Sequence, residues 1–292
     1  MKWRRGGGRA GDVIDARGSG GRRGGGLPVA GGGVGIVGLL IYLAISMLGG
    51  GGAGGFNIDP GLTGGAPVQS DPIPPGQDPD KDLKDFSSYV VSDVNDAWTE
   101  IFGRENRDYR RVKLVFFAGG VNTGCGSASS AVGPFYCPPD ERMYLDLSFY
   151  EDMTTKLGGK GGDFAWAYVI AHEGGHHIQQ LLGTSDEVRR AQQDNPDDQN
   201  ELSVRLELQA DCYSGVWAHS VFEEGALEKG DVAEALDAAA SVGDDRIQSR
   251  SGGDVDPHSF THGTSEQRQR WFNAGRESGD PGACDTFAAD DV

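Results

Sequence analysis

Phe164-Ala165-Trp166-Ala167-Tyr168-Val169-Ile170-Ala171-His172-Glu173-Gly174-Gly175-His176-His177-Ile178-Gln179-Gln180-Leu181-Leu182 is the stretch whose reading decides the fold. Apolar residues lead into a His-Glu-x-x-His pattern, and Gly183 stands where a helix would stop. On an α-helix, positions i and i+4 share a face one turn apart, so His172 and His176 can point at one cation. Glu173 projects about 100° away from His172, beside a metal rather than onto it. A carboxylate there can take a proton from a water on the metal. The chain has six histidines in 292 residues, so chance rarely produces this spacing. Two surface histidines on an ordinary helix would not sit in so apolar a run. The paired glycines weaken a helix, so packing must hold it and something must approach it closely. The expectation is a zinc site.

Catalytic zinc takes three protein ligands and leaves one position open. A second helical stripe, Leu202, Leu206, Ala210, Tyr213, Val216 and Trp217, runs through 200–222 and carries Glu207 and Asp211 one turn apart. Two like charges on a largely apolar face repel and are costly to bury. A cation and an imidazole N–H remove that conflict. Glu207 is therefore assigned to the metal and Asp211 to the ring N–H of a liganding histidine. Glu201 is the fallback ligand, in a more polar stretch. His177 points elsewhere on its helix and reads as a packed, hydrogen-bonded residue. His262 lies just before a helix at 265–277 that Thr264 and Gln267 open with a capping-box pattern. Two roles stay open for His262: steadying an oxyanion, or fastening the helix start. Tyr213 and Arg268 are the other oxyanion candidates.

Around these helices the chain reads as mixed α and β. Leu83, Phe86, Val90, Val94, Ala97, Trp98 and Ile101 recur at helical spacing, opening a folded domain near Lys81. Val112, Leu114 and Phe116 alternate within 111–118, and Met143, Leu145, Leu147 and Phe149 within 142–150. Both read as strands, expected to be antiparallel neighbours beside the metal helix. A short helix fits 232–240, and 186–199 reads as a polar surface connection. Between the strands, Cys125 and Cys137 bound a Gly/Pro-rich loop and form the obvious disulfide pair. Cys212 and Cys284 pair by elimination, which sets aside Cys212 as a zinc ligand.

The 48 glycines concentrate before residue 66, and the formal net charge of −18 is split along the chain. Residues 1–26 hold seven basic groups against two acidic ones, a net of +5, which leaves −23 on the remainder. So acidic a body excludes non-specific nucleic-acid binding. The Gly/Arg-rich residues 1–26 read as a disordered cytoplasmic tail. No charged residue occurs in 27–48. At 1.5 Å per residue that stretch spans about 33 Å, enough for a bilayer core. It is read as an uncleaved signal anchor in preference to a cleaved signal peptide. Residues 49–80 follow as a Gly/Pro-rich linker and 81–292 as the zinc domain, placed outside a single-pass cell membrane.

The combination of His172–His176, Leu206–Cys212 and Phe260–Arg268 resembles the bacterial neutral zinc metallopeptidase family. The Cys125…Gly133-Pro134-Phe135-Tyr136-Cys137 loop and the strand from Met143 to Phe149 resemble it too. The resemblance covers about 81 to 287. It implies a zincin-like α+β domain, mostly helical with a small antiparallel sheet, with ligands on His172, His176 and Glu207 and the base on Glu173. An N-terminal membrane anchor is typical of such a family. The expected function is a membrane-anchored, zinc-dependent endopeptidase acting on peptide or protein substrates. The alternatives are a metal-stabilised binding module without turnover and a zinc amidase acting on cell-wall peptides. Intact Glu173 argues against the binding module, since a structural zinc needs no neighbouring base.

Overall fold

A computed structural model describes residues 1–18, 73, 76–252 and 254–292. In chain order the strands and helices are β1 (Val13–Asp15), α1 (Lys81–Arg104), β2 (Lys113–Phe117), β3 (Gly120–Thr123), β4 (Gly126–Ser129), β5 (Phe135–Cys137) and β6 (Arg142–Asp146). Then come α2 (Phe149–Thr155), α3 (Asp163–Leu182), α4 (Thr184–Asp194), α5 (Gln199–Glu223), α6 (Asp231–Ser241), α7 (Asp244–Arg250) and α8 (Ser265–Ser278). Helix α3 is central. Phe164, Trp166, Ile170 and Ile178 are buried on it, so nearly its whole circumference faces protein. Helices α1, α5 and α6 and the strands β5 and β6 pack around it. Gly183 closes it in the left-handed region at φ 88°. The two glycines inside it sit at close approaches: a Cβ on Gly175 would fall 2.7 Å from the Ala210 carbonyl oxygen of α5, and one on Gly174 3.0 Å from Val94 of α1. Gly175 thus lets the helix that carries the histidines touch the helix that carries Glu207, and Gly174 lets it close on α1.

The sheet is mixed, which corrects the antiparallel expectation. Its order is β1-β2-β6-β5. β2 and β6 are neighbours but parallel, with Leu114 opposite Met143 and Phe116 opposite Leu145. The β3–β4 hairpin and β5 lie between them in sequence, and that length of chain carries the crossover a parallel pair requires. β5 takes the antiparallel place beside β6. The second strand also ends early, because Phe149 and Tyr150 already begin α2. The polar stretch after the metal helix forms α4, held down by Val188 and Gln192 alone, too few apolar positions to show a period. Cys125 is bonded to Cys137, and Cys212 to Cys284.

Two further expectations are overturned at the N-terminus. Residues 1–18 are ordered against the domain, not a free tail. β1 pairs in parallel with β2, Val13 opposite Leu114. The Met1 amino group lies 2.8 Å from Asp163 and 3.2 Å from Asp231. Arg111 clasps Asp12 through Nε at 3.0 Å and Nη2 at 2.6 Å. Arg17 meets Asp15 at 2.8 Å and Asp78 at 2.6 Å, all three partly or fully shielded from water. The charge split along the chain thus has a local use: the positive segment is held by the acidic body.

The second correction concerns the membrane. The stretch 27–48, read as a transmembrane anchor, lies outside the described residues. Among the described residues no helix is long and apolar enough to cross a membrane. A single crossing would also place residues before and after it on opposite sides, yet β1 and β2 share one sheet. A single-pass anchor with a cytoplasmic N-terminus and an extracytoplasmic domain does not fit this arrangement.

One half-buried carboxylate on α1 yields a stability prediction. Asp93 accepts from the Trp217 indole N–H at 2.8 Å. Burial pushes its pKa up to about 6; the indole bond works against that rise, and Glu224 and Asp96 nearby add to it. A carboxyl whose folded pKa lies above its unfolded value is harmless while protonated, and the protein loses stability as pH rises through about 6. Asp93→Asn keeps an acceptor for Trp217 and removes the charge. It is expected to stabilise the protein by about 1–2 kcal/mol at pH 7.5, with the gain gone below about pH 4. Thermal melts of both proteins across that range check it, and an equal gain at every pH would contradict the assignment.

Candidate metal centre

Helices α3 and α5 meet edge to edge and bring His172, His176 and Glu207 to one point. His172 Nε2 is 3.2 Å from one Glu207 oxygen, and His176 Nε2 is 3.4 Å from the other. One donor atom from each residue lies within 4.8 Å of the other two. Zinc ligand bonds of about 2.0–2.1 Å put neighbouring corners of a tetrahedron about 3.3 Å apart. The donor set therefore matches a zinc ion in chemistry and in spacing.

The far side of each imidazole fits the same ion. His172 Nδ1 is 2.8 Å from Asp211, and His176 Nδ1 is 2.8 Å from the Gln179 amide oxygen. With Nδ1–H donating to an acceptor, the lone pair lies on Nε2, toward Glu207. Charge supports this too. Burial opposes the charged form of both histidines, but Asp211 at His172 and Glu207 at His176 outweigh it and raise both pKa values. Glu207 is partly shielded from water, which alone would raise it, yet the two imidazoles hold it well below the ordinary carboxylate range. The field that attracts protons to these rings attracts a divalent cation equally.

Asp211 is completely buried and carries more than one imidazole. It accepts from Tyr168 Oη at 2.5 Å, and Arg268 donates to it through Nε at 2.8 Å and Nη2 at 3.0 Å. Burial would raise its pKa; Arg268 and then His172 lower it instead. The guanidinium of Arg268 is thus spent on Asp211 and Tyr168. Sequence reasoning weighed Arg268 only as an oxyanion donor and missed Tyr168 and Gln179. The signal was present: Tyr168 lies four residues before His172 and Gln179 three after His176, on the faces that α3 turns toward α5.

Glu173 lines the cavity beside the three donors, with 9% of its surface exposed. Burial raises its pKa while His176 and His172 pull it back. His262 lines the same cavity. Its backbone N–H and those of Thr261 and Gly263 converge on one Asp244 oxygen at 2.6, 2.7 and 3.1 Å, and its Nδ1 is 3.3 Å from the other. The capping box of Thr264 and Gln267 is formed on α8. The cavity has a volume of about 260 Å³, and Val132, Pro134, Phe149, Met153 and Val169 supply apolar walls.

The remaining candidate residues lie elsewhere. Glu201 is exposed and paired with Arg205 at 3.0 Å. Tyr213 packs edge-on against Trp98 with ring centres 5.4 Å apart. Cys212 is used in its disulfide. His177 is fully buried between the Tyr136 hydroxyl at 3.0 Å and the Arg110 carbonyl at 2.6 Å, which ties α3 to β5.

Comparison with known proteins agrees with this geometry. The family model described as "Putative neutral zinc metallopeptidase" matches residues 1–287, including the N-terminal strand. The protein named "Uncharacterized protein YpfJ" of Escherichia coli (strain K12) is 50% identical over 238 residues, 80% of this chain and 83% of that one. "Uncharacterized protein Rv2575" of Mycobacterium tuberculosis (strain H37Rv) is 48% identical over 194 residues, 63% of this chain and 65% of its own length. No solved structure matches the chain. With the match running over nearly the whole sequence, the chain belongs to the neutral zinc metallopeptidase family.

Proposed function

We propose that the protein is a zinc-dependent endopeptidase, with His172, His176 and Glu207 holding the metal. The observation that carries this reading is the convergence of three donors within 4.8 Å of one another beside a buried carboxylate, Glu173, which is not one of them. Zinc bound there supplies Lewis acidity, which acidifies water and polarises a carbonyl oxygen.

Everything else falls to the chain's own side chains. Glu173 takes the proton of the attacking water and later delivers one to the leaving amine. Its raised pKa brings it nearer the working range of a base at neutral pH. His262 is steered by Asp244 toward the cavity, and its ring donates to the carbonyl oxygen as negative charge develops. Asp211 and Gln179 hold the two rings in register. The apolar walls exclude water from the cleft and hold an uncharged substrate segment.

Metal removal tests the reading directly. A chelator is expected to abolish cleavage of an unbiased peptide library, and stoichiometric zinc to restore it. His172→Ala and His176→Ala should each lose the bound zinc, since two remaining ligands rarely retain it. Cleavage that persists in the fully metal-free protein would overturn the proposal.

A further inference from the structure

His172 and His176 are braced differently, and the difference assigns a role to Gln179. His172 leans on a carboxylate from the neighbouring helix. His176 leans on an amide from its own helix, with Nδ1 2.8 Å from Gln179 Oε1. The two ends of an amide look alike, so their identity follows from the contacts at each. The other end of Gln179 lies 2.6 Å from the Leu206 carbonyl oxygen and 3.2 Å from Gln209 Oε1. A backbone carbonyl only accepts, so the atom facing it is the NH2. The atom facing His176 is then the amide oxygen, which accepts from Nδ1–H and leaves the Nε2 lone pair toward Glu207.

Gln209 is fixed in turn, because its own NH2 donates to the Cys284 carbonyl at 3.0 Å. Gln179 is fully buried, so water does not compete for these bonds. It also fastens α3 to the backbone of Leu206, the residue before Glu207. One side chain therefore sets His176 and the helix segment bearing Glu207 relative to each other.

We propose that Gln179 is the positioning residue for His176, choosing the tautomer and ring plane that aim Nε2 at the metal, and that Gln209 acts on the site through it. This rests on the zinc reading given above. Losing such a brace weakens metal binding by about 10–100-fold while the ligands stay in place.

The test uses the full chain and measures zinc affinity by competition with a chelator. Gln179→Met is expected to bind zinc about 10–100-fold more weakly. Gln209→Met is expected to weaken zinc as well, and to add nothing further in the Gln179→Met background. In zinc-loaded protein the Nδ1–H of His176 should give a slowly exchanging 15N–1H signal, lost in Gln179→Met while that of His172 persists. Wild-type affinity in Gln179→Met overturns the proposal. So does an additive loss in the double variant with the His176 signal intact, which would mean general loosening of the helix pair. His176→Ala separates the two levels: if it binds zinc as tightly as wild type, the metal site itself is wrongly placed, whereas if it loses zinc and Gln179→Met does not, only the role of Gln179 falls.

Discussion

Glu173→Gln is expected to keep its zinc and its fold while peptide hydrolysis falls by about 10²–10⁴-fold. Glu173 follows His172 by one residue, so on α3 it sits beside the converging donors and not among them. It is nearly buried and lines the same cavity as His172, His176 and Glu207. The amide of glutamine has the same shape but accepts no proton at any working pH. The loss should therefore appear in kcat with KM little changed, because the group acts on the reacting water and not on the bound peptide. Zinc content and the melting curve serve as controls. Glu207→Ala supplies the contrast: it should lose zinc, since its two oxygens lie 3.2 and 3.4 Å from the imidazoles. Glu173→Gln protein that cleaves peptides at the wild-type rate would remove the base assignment, whereas zinc-loaded wild-type protein that cleaves nothing would leave a metal-stabilised binding module as the better reading.

Some of this site was legible in the sequence, and the reason is periodicity. His172, Glu173 and His176 lie on one helix, and Glu207 and Asp211 on another, so spacing alone places each set on a face. What spacing does not encode is contact between elements. Tyr168 and Gln179 lie at helical spacing from the two histidines, but Tyr168, Gln179 and Arg268 matter because α3, α5 and α8 meet, and spacing alone does not show that a phenol and a guanidinium reach Asp211 or that an amide reaches the Leu206 carbonyl. The first eighteen residues were misread for the same reason. Gly and Arg make a segment look disordered when the acids that hold it, such as Asp78 for Arg17 and Asp96 for Arg9, lie 61 and 87 residues away. Strand direction escaped as well: alternation in 111–118 and 142–150 marks two strands, and only the path between them decides that they run parallel.

Asp211→Ala is expected to cost about 3–5 kcal/mol, because it strands a buried arginine. The carboxylate is completely buried and receives four hydrogen bonds, two of them from Arg268. Only 3% of the Arg268 side chain reaches solvent, so after the substitution its charge has no water and only Glu207, at 4.0 Å, as a charged partner. In a chain of this size that cost lowers the melting temperature by roughly 6–20 °C. Zinc affinity should fall too, since His172 loses the acceptor that fixes its tautomer. The two effects have different physical causes and can be pulled apart. Asp211→Leu combined with Arg268→Met replaces the ion pair by apolar groups, and such exchanges are often close to neutral. The double variant should regain most of the stability of the single one and none of its zinc affinity, because the imidazole still has no brace. Recovery of both would mean that Asp211 acts on the metal only by keeping the helices folded. Recovery of neither would mean that Tyr168 and Arg268 are not the groups its charge balances.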